Sequence, residues 1–162
     1  MALKVIEGKY GSFDKDLSKR VEDFFVGENL LQSILHSHLL IEKALLHKIE
    51  EKLLRPDVLT SGKFSGLTFA QKVTVYVGLY NPSEETETFL LAMNKMRNAI
   101  AHTIIDSDEP IKKYLKPILL SRWKESNSQT QPPTDPKGIL SIIFMILMFD
   151  LGAINGLQRD DI

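Results

Sequence analysis

The stretch ENLLQSILHSHLLIEKALLHKIEEKLL, residues 28–54, decides the fold of this chain. Its apolar residues recur at intervals of three and four, which is typical of an amphipathic helix and not of a strand. The predicted apolar stripe consists of Leu31, Ile34, Leu35, Ile41, Leu45 and Ile49. Arg55-Pro56-Asp57 ends the pattern, because proline cannot continue the backbone hydrogen bonds of a helix. The sequence therefore predicts one long helix over residues 28–54.

The rest of the chain follows the same helical periodicity, with little of the alternation that indicates strands. Further helices are predicted at about residues 13–25, 68–80, 83–104, 110–125 and 139–156. Thr68 and Gln71 have the spacing of a capping box at the start of one helix. Asn81-Pro82-Ser83-Glu84 opens the next one, and Pro117 is expected to kink the fifth. We predict an all-α, up-and-down bundle of five to six helices.

The 162 residues are predicted to form a single domain, 1–162, with its core at about 28–105. Residues 126–138 have the composition of a linker, and a C-terminal apolar helix, 139–156, follows it. The longest apolar run, 139–149, is shorter than the roughly 20 residues of a membrane span. We therefore expect no membrane association and predict a buried bundle helix. Part of its apolar surface is a candidate contact with a second copy of the chain.

Composition and charge exclude several classes of protein. The chain has no cysteine, so it has neither disulfides nor a thiolate metal site, which fits a cytoplasmic protein. Its N-terminal residues lack the apolar run of a signal peptide. The net charge is −1, so bulk charge does not indicate nucleic-acid binding. Lys112, Lys113 and Lys116 form a small basic face, for which a solvated surface is the default interpretation. If this face flanks the motif described below, it is the local candidate for RNA contacts.

A polar motif, Arg97-Asn98-Ala99-Ile100-Ala101-His102, interrupts the helical pattern of residues 83–104. Asn98 and His102 are four residues apart and share one helix face, while Arg97 lies about 100° to the side. A cation, an amide and an imidazole are the groups that bind a phosphate and move a proton. These three residues are the candidate catalytic residues. The structural alternative is that they interact with the last carbonyls and the dipole of their helix.

A second polar pair lies on the apolar stripe of the long helix, where His38 is central and Glu42 is four residues further on. A buried carboxylate needs a partner, because burying it alone costs several kcal/mol. We expect antiparallel packing to bring Arg97 to Glu42, with His38 and His102 nearby. A satisfied core histidine and a purely structural salt bridge are the alternatives. No phosphate loop, metal-binding motif or serine nucleophile turn is present, so no metal or cofactor is predicted.

The motif resembles the Arg-x(4–6)-His signature of the HEPN superfamily, in its Arg-Asn-x-x-x-His form. Glu42 stands where that family has an acidic residue on the preceding long helix. The order of the long helix, the stretch 67–72 and the motif helix is similar to the branch that contains the mannitol-operon repressor proteins. The resemblance covers roughly residues 28–105. Members of that branch largely lack the Arg…His pair, which this chain keeps.

The resemblance implies a helical bundle that is often dimeric, with the two motif copies facing one another. Many members are metal-independent endoribonucleases, found among toxins and defence effectors, and others keep the fold without activity. In that scheme His102 is a general acid or base, and Arg97 holds the phosphate. Asn98 donates a hydrogen bond to the same phosphate or fixes the His102 ring. Glu42 and His38 are supporting residues. Two functions stay open: an RNA-cleaving or RNA-binding homodimer, with a cognate antitoxin or regulatory protein as a partner, and a non-catalytic transcription regulator or interaction module.

Overall fold

The computed structural model describes residues 23, 25–27, 29–57, 66–102, 108–125 and 131–153. These residues form five helices and no strand, as the all-α prediction requires. The helices are α1 (Leu30–Glu50), α2 (Phe69–Tyr80), α3 (Glu84–His102), α4 (Asp108–Pro110, Ile111–Leu115 and Lys116–Glu125) and α5 (Pro136–Asp150). The helix predicted at 13–25 lies almost wholly outside the described residues. The last helix begins three residues earlier than predicted, inside the expected linker.

Side-chain caps set the starts of the first two helices. The Asn29 side chain accepts a hydrogen bond from the Gln32 amide at 2.9 Å, and the Gln32 side chain accepts one from the Asn29 amide at 3.0 Å. Thr68 and Gln71 form the same reciprocal box before α2, which confirms that prediction. Both boxes satisfy amide groups that have no partner within the helix. Asn81, in the left-handed conformation at φ 46°, ends α2.

The proline expected to kink the fifth predicted helix instead follows a π-helical segment. Residues Ile111–Leu115 form one π turn inside α4, and the Lys116 amide donates to the Ile111 carbonyl five residues back. Pro117 has no amide hydrogen, and its ring would clash with the carbonyl four residues before it in an α-helix. The wider π turn immediately before Pro117 relieves that conflict, which is a common origin of such segments.

Helix directions differ from the predicted up-and-down order. α1 and α2 run parallel, because the His38 and Phe69 rings are 4.5 Å apart near one end and the Tyr80 hydroxyl donates to the Lys48 carbonyl at 2.7 Å near the other. α5 is parallel to them, since Lys137 at its start donates to the Phe25 carbonyl, just before α1.

The remaining directions follow from short connections. Residues 81–83 reverse the chain between α2 and α3, and α4 returns along α3, with Arg122 bonded to Glu85 at 2.9 Å. Four helices therefore point one way and α3 the other. Two pairs of consecutive helices, α1 with α2 and α4 with α5, are therefore parallel, so the strict up-and-down order was wrong.

The last helix is the centre of the core. Nine of its residues are buried: Ile139, Leu140, Ile142, Ile143, Phe144, Met145, Ile146, Leu147 and Met148. This confirms the prediction of a buried bundle helix. The protein's own helices cover its apolar surface, with Phe149 as the exposed exception, so the predicted dimer contact through this helix has little surface to use. None of the helices in the described part of the chain combines the length and apolarity of a membrane span.

The buried face of α1 is rotated relative to the predicted stripe. Ile34, Ile41, Leu45 and Ile49 are fully buried, as expected. Leu31 and Leu35, however, are 43% and 40% exposed, and Leu39 is 56% exposed. The buried arc extends instead to the small residues Ser33, Ser37 and Ala44 on the other side of the helix. Small side chains let a neighbouring helix approach closely, so the core centre moves toward them and leaves three leucines on the surface.

Candidate functional site

The three motif residues of α3 point in two directions. The buried residues of this helix include Leu90, Met93 and Met96, and Arg97 lies on the same side, one turn beyond Met93. At about 100° per residue, Asn98 is rotated by 100° from Arg97 and His102 by about 140°. His102 therefore lies on the face away from the core. All three motif side chains are exposed.

The positive charge of Arg97 acts on His38 of α1 and helps to lower the pKa of that imidazole. The one hydrogen bond of Arg97 to a described residue runs from Nη1 to the Asn98 Oδ1, at 3.3 Å. No carboxylate of the described residues lies within ion-pair distance of its guanidinium. Arg97 is thus a cation at the surface with a neutral amide beside it, which is a suitable arrangement for an incoming phosphate.

Glu42 has a different partner from the predicted one. Its Oε1 accepts a hydrogen bond from the Lys72 Nζ at 2.5 Å, and its Oε2 lies 4.0 Å from the His38 Nδ1. The predicted Glu42–Arg97 ion pair was therefore wrong. The parallel direction of α2 explains this, because it places Lys72 opposite Glu42. We call His38, Glu42, Lys72 and Arg97 the polar cluster.

Sequence reasoning missed Lys72, although a signal for it was present. Lys72 lies three residues after Phe69 and four before Tyr76, both of which are buried. That spacing places it on the core side of an amphipathic helix, where a lysine needs a partner. Its side chain is 15% exposed and that of Glu42 is 28% exposed. The pair is therefore less screened by solvent than a surface salt bridge.

His38 is the buried member of the polar cluster, with 6% of its surface exposed. Its ring packs on Phe69, and its Nε2 has no hydrogen-bond partner among the described residues. Burial lowers the pKa of His38 below its usual value; Glu42 opposes this, and the cations of Arg97 and Lys72 add to it. The imidazole is therefore neutral at pH 7.

The three predicted RNA-binding lysines lie on the first half of α4. Lys112 is 3.5 Å from the Glu109 carboxylate and 4.0 Å from that of Asp108, and Lys113 lies over the Tyr114 ring at 5.2 Å. Lys116 is half-buried. Since Arg122 lies level with Glu85, counting back along the antiparallel helices places Lys112 and Lys113 within about one turn of Arg97 along the bundle axis.

The structure thus brings Arg97, Asn98, His38 and Glu42 together with Lys72, and leaves His102 on the far side of α3. Across the described residues, no group of three or more His, Cys, Asp or Glu side chains is arranged to hold a metal ion. Comparison of the chain with protein-family models, with curated proteins and with solved structures gives no match. The chemistry of a guanidinium, an amide and an imidazole therefore carries the functional argument.

Proposed function

We propose that this chain is a metal-independent RNA-cleaving or RNA-binding protein of the HEPN type, acting as a homodimer. The observation that carries the proposal is the Arg97 guanidinium, exposed beside Asn98 and without a carboxylate partner in the described part of the chain. An arginine on the core side of its helix is usually paired, as Arg122 is with Glu85. An unneutralised guanidinium can bind a phosphodiester through two parallel hydrogen bonds.

In the proposed reaction, the 2′-hydroxyl of RNA attacks its own adjacent phosphate, so the protein supplies no nucleophile. The new bond joins the 2′-oxygen to phosphorus, and the 5′-oxygen leaves, which gives a 2′,3′-cyclic phosphate. Arg97 stabilises the charge that develops on the phosphate. His102 takes the proton from the 2′-hydroxyl or gives one to the leaving oxygen, which suits an imidazole at neutral pH. Asn98 donates a hydrogen bond to the same phosphate.

Helix geometry favours a site made by two copies of the chain. Arg97 and His102 of one helix are rotated by about 140° and separated by about 7.5 Å along the axis, so their side chains diverge. One phosphate cannot readily contact both. A second copy that presents its own His102 to Arg97 completes the set of groups, and two-fold symmetry forms the same site twice.

The first test is cleavage of a mixed RNA pool by the purified protein in EDTA. Arg97→Ala and His102→Ala should each lose cleavage, by about 10² to 10⁴ in rate for the histidine. Arg55→Ala and His47→Ala are matched controls, since both residues are exposed and distant in sequence from the motif. Products of the wild type should end in 2′,3′-cyclic phosphate. Full cleavage by His102→Ala would refute the assigned role.

A mixing experiment tests the shared site directly. Arg97→Ala and His102→Ala subunits, each inactive alone, should regain about a quarter of wild-type activity when exchanged into mixed dimers, because half of the dimers then hold one intact site of two. Activity that does not return in verified mixed dimers would show that each copy uses its own pair.

A second function, a non-catalytic regulator or interaction module similar to the mannitol-operon repressor branch, has one observation in its favour. Leu31, Leu35 and Leu39 form an exposed apolar row on α1, next to His38 and Glu42. Such rows are typical of protein–protein contacts. A folded dimer that neither cleaves nor binds RNA, and whose association requires these leucines, would favour this function over the first.

A further inference from the structure

Lys72 lies outside the Arg-Asn-x-x-x-His motif, and it binds the carboxylate of Glu42. We propose that Lys72 is a positioning residue: by binding Glu42 it prevents Glu42 from pairing with Arg97, and so keeps the guanidinium available for an RNA phosphate. This inference rests on the proposed function, from which it takes RNA as the ligand of Arg97. It concerns a residue outside the Arg-Asn-x-x-x-His motif.

The contacts of Glu42 show which group neutralises its negative charge. One carboxylate oxygen accepts the hydrogen bond from Lys72, and the other lies 4.0 Å from the His38 Nδ1. His38 is neutral, because burial lowers its pKa, so it cannot neutralise the carboxylate. Lys72 is therefore the cation that balances Glu42.

Arg97 is the cation with which Glu42 would pair if Lys72 were removed. Arg97 lies on the core side of α3, one turn beyond the buried Met93, and its charge acts on His38. The His38 ring is in turn 4.0 Å from the Glu42 carboxylate. The hydrogen bond from Arg97 to Asn98, at 3.3 Å, is long, and the Arg97 side chain is exposed, so little holds it in place. A half-buried carboxylate that loses its cation will attract the next one within reach. Without Lys72, that cation is Arg97.

Binding of a fluorescent single-stranded RNA, measured by anisotropy, tests this inference with three variants. Lys72→Met should weaken binding about five- to tenfold, approaching the loss caused by Arg97→Ala. Lys72→Arg should bind as the wild type does. The double variant Glu42→Gln/Lys72→Met should recover wild-type binding, because no carboxylate remains to capture Arg97.

The double variant separates positioning from direct contact. If Lys72 itself bound the phosphate, the double variant would remain as weak as Lys72→Met, and that result overturns the proposal. Unchanged binding by folded Lys72→Met overturns it as well. If Lys72→Met does not fold, the comparison of Glu42→Gln with the double variant decides: equal affinities support positioning, and a further loss on removing Lys72 refutes it.

A second measurement needs no RNA. The ¹⁵N signal of the Arg97 Nε reports whether the guanidinium is in an ion pair, through its chemical shift and its slowed hydrogen exchange. Both should change in Lys72→Met and return in the double variant. An unchanged signal in Lys72→Met refutes the positioning role. If wild-type protein binds no RNA, the proposed function fails, whereas this signal still tests whether Lys72 keeps Glu42 from Arg97.

Discussion

Buried His38 should make the stability of the protein depend on pH. Its pKa is lowered in the folded state, mainly by burial, whereas in the unfolded chain it returns to about the ordinary 6.5. Above that pH both states are neutral at this site, and the stability is fully present. As the pH falls through the unfolded pKa, the unfolded chain binds a proton that the folded protein does not. Stability is therefore lost on acidification, until the pH reaches the lowered folded pKa.

The magnitude follows from one proton. While folded His38 stays neutral, the loss in unfolding free energy is at most about 0.4 kcal/mol at the unfolded pKa and about 1.4 kcal/mol one pH unit below it. The charged groups that act on the His38 ring are Glu42, Lys72 and Arg97. Glu42 raises the pKa of His38, whereas Arg97 and Lys72 lower it. Burial is the largest cause of the pKa shift, so the pKa is lowered overall. Phe69, which packs on the ring, contributes to that burial.

Urea unfolding between about pH 7.5 and pH 5.5 measures this effect as a difference between variants. His38→Gln removes the titrating group, so its stability should fall less steeply with acid than that of the wild type. His47→Gln is the matched control for the substitution itself, because His47 is 76% exposed. Parallel profiles for the wild type and His38→Gln would refute the argument that burial holds this imidazole neutral.

Three further outcomes are expected. Asn29→Ala should cost about 1 kcal/mol in urea unfolding, because it removes the side-chain acceptor of the α1 capping box, and a loss below a few tenths would contradict that role. Ile143→Ala should cost about 2–5 kcal/mol, since the side chain is fully buried in the central helix, and a cost under 1 kcal/mol would mean that the core collapses into the cavity. Leu39→Asp should leave the unfolding free energy within about 0.5 kcal/mol but weaken self-association in sedimentation velocity, and unchanged association would remove the leucine row from any interface.

Local structure could be predicted because it depends on neighbouring residues. The Thr68–Gln71 box and the buried run from Ile139 follow from short-range patterns that the structure confirms. A long helix was also predicted correctly, but over residues 28–54, whereas it spans Leu30–Glu50 and ends before the proline is reached. Each depends on hydrogen bonding or burial within a few turns of one helix. The spacing of the residues in the sequence is therefore enough to predict these interactions.

The direction of packing could not be predicted in the same way. The Glu42–Arg97 pair was expected from antiparallel packing of α1 with α3, and these two helices are antiparallel. The direction of α2 was not predicted: α2 is parallel to α1, and its Lys72 binds Glu42. The parallel direction of α2 puts Lys72 opposite Glu42. Among the residues that the structure describes, no carboxylate lies within ion-pair distance of Arg97. The shift of the α1 stripe toward Ser33 and Ser37 has the same origin, because which side is buried depends on neighbours far away in sequence.

The packing of α5 on α1 affects how the chain folds while it is being synthesised. Their contact joins residues about a hundred positions apart, and Phe25, just before α1, meets the Phe144 ring of α5 edge to face at 5.7 Å. Pairings of such high contact order form late and slow the folding of a domain. During synthesis, Ile34 and Ile41 emerge long before the helix that covers them. The nascent chain therefore exposes these apolar side chains until α5 has been synthesised, and it should depend on chaperones that recognise such surfaces.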